Sequence, residues 1–450
     1  MNLATRLLNT ATVALRARHE RRVPFWSADG IARRQRRHLR AIVAHAYSSV
    51  PFYAESMREL GLAPRDIRTV DDLALLPAID ATILRADEGR FLSTRVTPRR
   101  RRALHTSGSH GGHHGVVWWD ERSLLSKLAY AERDRAVLGT LLGRAIGHRQ
   151  LYLLPRAAQS FVLREWWREW TVTPSRLATR SVVPPETSYE EVAARLGAER
   201  PDVVYSYGSY AEHFARCLGA SGAEARGASI WCYGGDGMTR SGRTLLERVT
   251  GARVISTYQA TETGRLGFEC ERRDGWHLNV DLCAVRIVND AGAAVPAGRE
   301  GAIVVSNLHN RATVLLNYRI GDVGALAKTP CECGRSLPLL RTLAGRRTET
   351  VQLADGRAVS GLVLQAECMS ALEGALRVQL VIEGPGRVRI RAVLPAGADG
   401  PAVANRISDV VRAAYGESLV ATLEPVATLP ETAAGKFQRV VPADSALEHR

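Results

Sequence analysis

Between residues 100 and 265, helix-like stretches alternate with short apolar runs such as Gln150–Leu154 and Asp202–Tyr205. A short apolar run between helical segments reads as a strand buried on both faces, and the alternation is the pattern of an α/β sheet covered by helices. The pattern then changes. Over 280–330, Val285–Val288 and Ala302–Ser306 lie between Gly- and Pro-bearing turns, as β-structure does. Past about residue 345 the sequence predicts a smaller α+β unit, with strands near Val351–Leu353, Gln379–Ile382 and Val388–Val393 and helices near Leu362–Ala371 and Ala402–Tyr415. The expected organisation is therefore a large N-terminal α/β domain over 1–345, including a β-region, and a small C-terminal α+β domain over 346–450. Near the start, residues 31–60 predict a helix that closes on Ser48-Ser49-Val50-Pro51, because the residue before proline disfavours helical geometry.

The formal net charge of +15 raises a nucleic-acid partner, but 58 of the 61 basic residues are arginine and the only lysines are Lys127, Lys328 and Lys436. Dense charge occurs only at Arg33–Arg40 and Arg99–Arg102, so no nucleic-acid partner is expected. No run of about 18 apolar residues predicts a membrane span. Residues 1–18 carry arginine and no acid, which admits a transit peptide but favours an amphipathic first helix. Seven cysteines in a chain of 450 residues argue against a disulfide framework and for a reducing cytoplasm.

Five short segments carry chemistry. Thr106-Ser107-Gly108-Ser109-His110-Gly111 is rich in glycine and hydroxyls, so N–H and O–H groups can surround phosphate oxygens, although no Lys-Ser/Thr follows as a Walker loop requires. Cys232-Tyr233-Gly234-Gly235-Asp236-Gly237 follows an apolar run, and its glycines would let a flat base lie against the backbone. Ser256–Gly264 offers Tyr258, Thr261 and Glu262 within five residues, a set suited to stacking, phosphate contact and Mg²⁺ ligation. Asn317–Asp322 ends a strand-like run with a carboxylate able to grip ribose hydroxyls. Thr432–Phe437 places Lys436 on a Gly-bearing loop in a chain that hardly uses lysine. Taken singly, the first and third segments are equally well read as surface loops and the second and fourth as turns, while Lys436 stands out by the rarity of lysine.

In this order and spacing the five segments resemble the acyl-adenylate-forming superfamily of acyl-CoA synthetases, luciferases and peptide-synthetase adenylation domains. Two further stretches resemble its phenylacetate–CoA ligase family: Arg40–Tyr53, where a helix ending in His45-Ala46-Tyr47 precedes Val50-Pro51-Phe52-Tyr53, and the turn Cys331-Glu332-Cys333-Gly334-Arg335. The resemblance covers nearly the whole chain. It implies ATP-dependent activation of a carboxylic acid to acyl-AMP with release of pyrophosphate, then transfer to coenzyme A, with an amine or other small nitrogen nucleophile as the alternative acceptor. A catalytically idle binding module is disfavoured by the joint presence of Lys436, Asp322 and Glu262.

The resemblance also implies roles. Thr106, Ser107, Gly108, Ser109 and Gly111 would hold the ATP phosphates, and Gly234, Gly235 and Asp236 would border the base. Tyr258 would pack on adenine, Thr261 would meet phosphate and Glu262 would hold Mg²⁺. Asp322, helped by Arg346, would take the ribose hydroxyls, and Lys436 would reach from a mobile lid to the carboxylate and α-phosphate. Cys270, His277, Cys331 and Cys333 would hold a structural Zn²⁺, three thiolates and an imidazole making a closed tetrahedral set. The expected partners are a small carboxylic acid and its acceptor, with a homodimer left open.

Several positions depart from the family pattern. His110 stands for the usual Thr, His113-His114 for Pro-Lys, Asp236 for Glu, Gln259 for Gly and Thr348 for the hinge Asp or Lys; the turn at Ala354-Asp355-Gly356 is one residue longer. The last two lie in the part expected to rotate for the second half-reaction, and they put the acceptor in question. Trp166–Trp170 and Tyr205–Gly208 border the acyl pocket on one reading, an aromatic acid then being the substrate, and belong to the core on the other.

Overall fold

In the computed structural model, eleven strands form one sheet whose two halves are built differently. The structure describes residues 1–106, 115–156, 158–172, 178–346, 349–372, 374–395, 397–432 and 435–443. Ahead of the sheet come helices α1 (Leu3–Glu20), α2 (Ala28–Ser49), α3 (Pro51–Glu59) and α4 (Ala81–Ala86), then the hairpin of β1 (Arg101–His105) and β2 (Val116–Asp120). The expected break near Val50-Pro51 is where α2 gives way to α3.

Next come α5 (Glu121–Tyr130), α6 (Glu132–Leu142), β3 (His148–Leu153), α7 (Gln159–Trp170), β4 (Ala178–Val183), α8 (Tyr189–Glu199), β5 (Val203–Ser206), α9 (Gly208–Ser221), β6 (Ile230–Gly234), α10 (Arg240–Thr250) and β7 (Arg253–Ala260). The five strands of this half are parallel, in the order β4-β3-β5-β6-β7. The helices begin and end on local signals: Asp120, Ser188 and Thr239 cap α5, α8 and α10 with a side-chain oxygen, and left-handed Gly143, Gly222 and Gly251 end α6, α9 and α10. One sheet face packs Phe214, Leu218, Leu246 and Val249 of α9 and α10 against Leu151, Val204, Trp231 and Val254. The other meets Leu138 of α6 over Val203, Ile230 and Ile255. Each large apolar side chain so buried contributes about 1.5–3 kcal/mol.

From β7 the sheet continues through antiparallel strands: β8 (Gly264–Glu269), β9 (Trp276–Leu278), β10 (Cys283–Val288), β11 (Gly301–Asn307), β12 (Tyr318–Leu326) and β13 (Leu339–Arg346), ordered β7-β8-β9-β13-β12-β11-β10. Leu39, Ile42, Tyr53 and Met57 of α2 and α3 bury themselves against this half. A buried quartet ties the N-terminal helix in. Glu20 and Asp281 each pair with both Arg34 and Arg133, at 2.5 to 3.0 Å, and none of the four side chains is more than 8% exposed.

The remaining strands join smaller sheets: β14 (Thr350–Gln352) pairs β15 (Ala358–Ser360), and β16 (Arg377–Gly384), β17 (Arg387–Val393), β18 (Val420–Pro425) and β19 (Val440–Pro442) form a four-stranded sheet ordered β18-β17-β16-β19. Helices α11 (Gly361–Ala371) and α12 (Gly400–Tyr415) pack on it through Leu364, Cys368, Ile407 and Val411. The predicted α/β body with a β-region and a small C-terminal α+β unit is the architecture observed.

Candidate active site

A chamber of about 2780 Å³ opens at the ends of the parallel strands, where the C-terminal unit faces the body. Ligands of open α/β sheets bind at that edge because the loops leaving the strands converge there. Thr106, Gly234, Gly235, Asp236, Tyr258, Thr261, Glu262, Asp322 and Lys436 all line it. Segments up to 330 residues apart in sequence thus share one cavity. Ser107, Gly108, Ser109 and Gly111, with His110, His113 and His114, lie outside the described residues, as do Thr348 and the side chain of Arg346.

The β7–β8 turn carries Thr261 and Glu262. Gln159 at the start of α7 donates its amide to Thr261 Oγ1 at 2.6 Å and to the His105 carbonyl at 2.8 Å. The Trp119 indole N–H donates to the Thr261 carbonyl at 3.2 Å. Tyr318 Oη donates to Glu262 Oε1 at 3.2 Å, and Asn307 Nδ2 donates to the Glu262 carbonyl at 2.9 Å. Tyr258, on β7, donates its hydroxyl to Asp322 Oδ2, on β12, at 2.6 Å. Asp322 stands opposite Arg346 in the β12–β13 pairing, so the two residues expected at the ribose are backbone neighbours.

Gly234 and Gly235 form the corner after β6. A Cβ at Gly234 would stand 2.6 Å from Thr257 Oγ1, so only glycine lets β6 approach β7 there. The Asp236 carboxylate acts within the fold, where Oδ1 accepts the N–H groups of Gly208 at 2.5 Å and Ser209 at 3.1 Å and so holds the N-terminus of α9. Burial raises its pKa, a trend opposed by Ser209 and by Lys436.

Lys436 sits on a loop closed by Thr432 N–H to the Lys436 carbonyl at 2.8 Å. Its ammonium lies 5.4 Å from the centroid of the Tyr207 ring. At the neighbouring Gly435, with φ +72°, a Cβ would meet Pro155 Cγ at 2.5 Å, so the loop approaches the body closely only as glycine. Sequence reasoning missed the anchor beside it. Arg439 donates to Glu212 Oε2 at 2.6 Å and to the Gly237 carbonyl at 2.9 Å. Burial alone would raise the Glu212 pKa, but Arg439, Arg216 and the Thr239 hydrogen bonds outweigh it and hold the group down at about 2. Of the aromatic stretch, Trp166, Trp167 and Trp170 pack with Trp119 and Leu124, Trp167 also reaching the chamber edge. Tyr205 lines the chamber, stacked on Tyr152 at 4.8 Å.

At the β-region, Cys270, His277, Cys331 and Cys333 converge, their ligand atoms all within 4.8 Å of one another. Cys270 Sγ and Cys331 Sγ are 3.7 Å apart, and Cys333 Sγ is 3.2 Å from His277 Nε2. His277 Nδ1 faces the Leu337 carbonyl at 3.3 Å, and burial drives its pKa down to about 4, so the ring is neutral with Nε2 turned to the thiols.

No family model matches the chain. A phenylacetate–coenzyme A ligase of Thermus thermophilus is 25% identical over 435 residues, which are 90% of this chain and 95% of the relative. The structure superposes on a 2-hydroxyisobutyryl-CoA ligase in its postadenylation state with a TM-score of 0.74, at 17% identity, covering 95% of this chain and 92% of the other. Against the same ligase with coenzyme A in its thioesterification state the TM-score is 0.61, at 17% identity and with 95% and 94% covered.

Proposed function

We propose that the chain, an AMP-forming ligase similar to phenylacetate–coenzyme A ligases, joins a carboxylic acid to AMP and then passes the acyl group to coenzyme A. One observation carries the reading: Tyr258, Thr261, Glu262 and Asp322 on the body and Lys436 on the C-terminal unit line a single chamber. In the first half-reaction a carboxylate oxygen attacks the α-phosphorus of ATP, the bond to the bridging oxygen breaks and pyrophosphate leaves. Two anions must meet. The Lys436 ammonium neutralises charge that is concentrated only in that transition state. Asp322 takes the ribose hydroxyls, Tyr258 packs on the base and Thr261 positions phosphate. Glu262 fits a Mg²⁺ ligand, its carboxylate already oriented by Tyr318, and the ion would offset the charge of the leaving pyrophosphate.

The unit over 346–450 is a lid in this reading, withdrawing Lys436 so that the coenzyme A thiol can attack the acyl carbonyl and expel AMP. The better superposition on a postadenylation state than on a thioesterification state supports a lid standing on the adenylation side. ATP–pyrophosphate exchange across a panel of aryl and alkyl acids tests the first step, and acid-dependent exchange is expected. Exchange stimulated by none of the acids would overturn the reading, while a hydroxylamine-trappable adenylate that coenzyme A does not consume would overturn the acceptor.

The four-residue cluster fits structural Zn²⁺. Two sulfurs on a tetrahedral ion with bonds of about 2.3 Å lie roughly 3.8 Å apart, and Cys270 and Cys331 stand at 3.7 Å. The ion would pin the β8–β9 turn to the turn before β13. Metal analysis should find one zinc per chain, and a Cys331→Ser/Cys333→Ser double variant should lose it and melt at lower temperature. Full zinc in that variant would place the ligands elsewhere.

A further inference from the structure

We infer that Lys127 and His309 form the polar end of the acyl pocket and select an acid that carries a hydroxyl remote from its carboxylate. The inference rests on the acid-activating reading and names its substrate class.

Lys127 lies on α5 with its ammonium 3.8 Å from the centroid of the Trp119 ring. A Cβ at Gly264 would stand 3.2 Å from the same nitrogen. The Trp119 indole N–H also binds the Thr261 carbonyl, so one ring joins the ammonium to the turn that bears Thr261 and Glu262. Trp119 pairs with Arg102, three residues along the hairpin from the His105–Val116 pair, or about 10 Å at the rise of a strand. Lys127, Tyr130, Gly264, Arg265 and His309 all face the chamber.

Lys127 makes no ion pair with a carboxylate among the described residues. The nearby acids are committed: Asp134 pairs with Arg265, and Asp120 caps α5 through Ser123 N–H at 3.0 Å and accepts Arg311 N–H at 3.0 Å. Burial, then Arg265, lowers the Lys127 pKa to about 7. The Trp119 ring offsets part of the cost of burying this amine, and with no carboxylate paired to it an acceptor for its N–H groups is to be sought in the ligand.

His309 supplies the complement. Its ring lies 5.3 Å from Trp119 and 5.4 Å from Tyr130, centroid to centroid. Nδ1 is 3.2 Å from the Leu282 carbonyl, to which it donates, and burial takes the pKa down to about 4. Nε2 is therefore an unprotonated acceptor, and it is buried with no hydrogen-bond partner among the described residues. An amine donor and a neutral acceptor thus both line the chamber and both meet the same indole, near enough that the Lys127 charge helps lower the His309 pKa. A hydroxyl matches both, accepting from Lys127 and donating to His309. A carboxylate would suit Lys127 but oppose the imidazole lone pair, and a hydrogen or methyl would leave both groups unpaired.

The test uses the full chain in ATP–pyrophosphate exchange with matched acids: benzoate, 3- and 4-hydroxybenzoate, 3- and 4-methoxybenzoate, isophthalate, phenylacetate and 4-hydroxyphenylacetate. One hydroxy acid should exceed its unsubstituted and methoxy partners in kcat/KM by on the order of a hundredfold. That ratio should collapse towards one in Lys127→Met and be kept in part by Lys127→Gln, which retains a donor. Calorimetry of the unmodified chain with hydroxybenzoyl and benzoyl sulfamoyladenosine reads the same preference without turnover and without relying on a variant's folding. Equal kcat/KM for all acids, or a preference for isophthalate, would overturn the hydroxyl assignment while leaving the adenylation reading intact. Exchange with none of the acids, together with no binding of either sulfamate, would overturn the reading beneath it.

Discussion

The two walls of the chamber are held in different ways. On the body, each polar group is tied to another element of structure: Thr261 to Gln159 and Trp119, Glu262 to Tyr318 and Asn307, and Tyr258 to Asp322. On the facing unit, Lys436 rides a loop closed by its own bonds to Thr432, and Arg439 three residues on reaches Glu212 of the body. Tyr258 and Asp322 are fixed by their strands, and Thr261 and Glu262, on the turn between β7 and β8, by the side chains bonded to them. A lysine on a loop of the facing unit is the arrangement that the proposed lid would need.

The contrast is easiest to break at Lys436. Lys436→Ala should slow adenylate formation about a hundred- to a thousandfold, roughly 3–4 kcal/mol, while ATP binding stays nearly normal. It should still convert synthetic acyl-adenylate at close to the unmodified rate, and Lys436→Arg should rescue poorly because a planar fork cannot replace a compact ammonium. Single-turnover kinetics of both half-reactions check this; equal losses in the two would mean that the walls do not separate.

Asp322→Ala probes the fixed wall and should act mainly on KM for ATP. In the proposed ribose role, Asp322 would make charged hydrogen bonds to a part of the nucleotide that does not react, worth about 1.5–3 kcal/mol, or roughly ten- to a hundredfold. A large fall in kcat at constant KM would contradict the ribose role.

Arg439→Met removes the contact to Glu212 and should weaken docking of the C-terminal unit by about 1–2 kcal/mol. The pH dependence follows from Glu212. Its folded pKa of about 2 lies below the ordinary 4.5, so its contribution is full above about pH 4.5 and is lost as pH falls towards 2. Removing Arg439 raises that pKa, and acid-induced release of the unit, followed by limited proteolysis, should move to higher pH. Release at the same pH would separate Glu212 from docking.

The smallest effect sharpens the scale. Arg90 and Glu55 pair at 2.5 Å with side chains 45% and 50% exposed, away from both walls. Arg90→Ala should change stability by less than about 1 kcal/mol and leave exchange rates alone. A larger effect in thermal melts would mean that exposed pairs, too, hold this body together.

What could be read in the sequence were local signals. Thr261, Glu262, Asp322 and Lys436 lie in short segments whose glycines, hydroxyls or rare lysine stand out from their surroundings. The parallel strands were legible for the same reason, as apolar runs, and Gln150–Leu154 differs from observed β3 by one or two residues at each end. The Tyr258–Asp322 bond was not legible. Its partners are 64 residues apart, and three strands lie between β7 and β12 in the pairing order, so only the curl of the sheet brings them together. Glu212 stands four residues before Arg216, an ordinary helical spacing, and nothing local marks a carboxylate that also receives Arg439. Lys127 and His309 meet at Trp119 through tertiary packing alone. Strands β8 and β9, short and carrying Gly, Arg and His, lack the apolar run that marks a buried strand.

The quartet of Glu20, Arg34, Arg133 and Asp281 also sets a clock on synthesis. Its first carboxylate and both arginines leave the ribosome within the first 133 residues, but the second carboxylate is residue 281. At the ~5–20 residues per second of translation, the nascent chain holds two arginines against one acid for on the order of ten seconds. The pairs that Arg34 and Arg133 make with Asp281 therefore close only after the middle of the chain has been made.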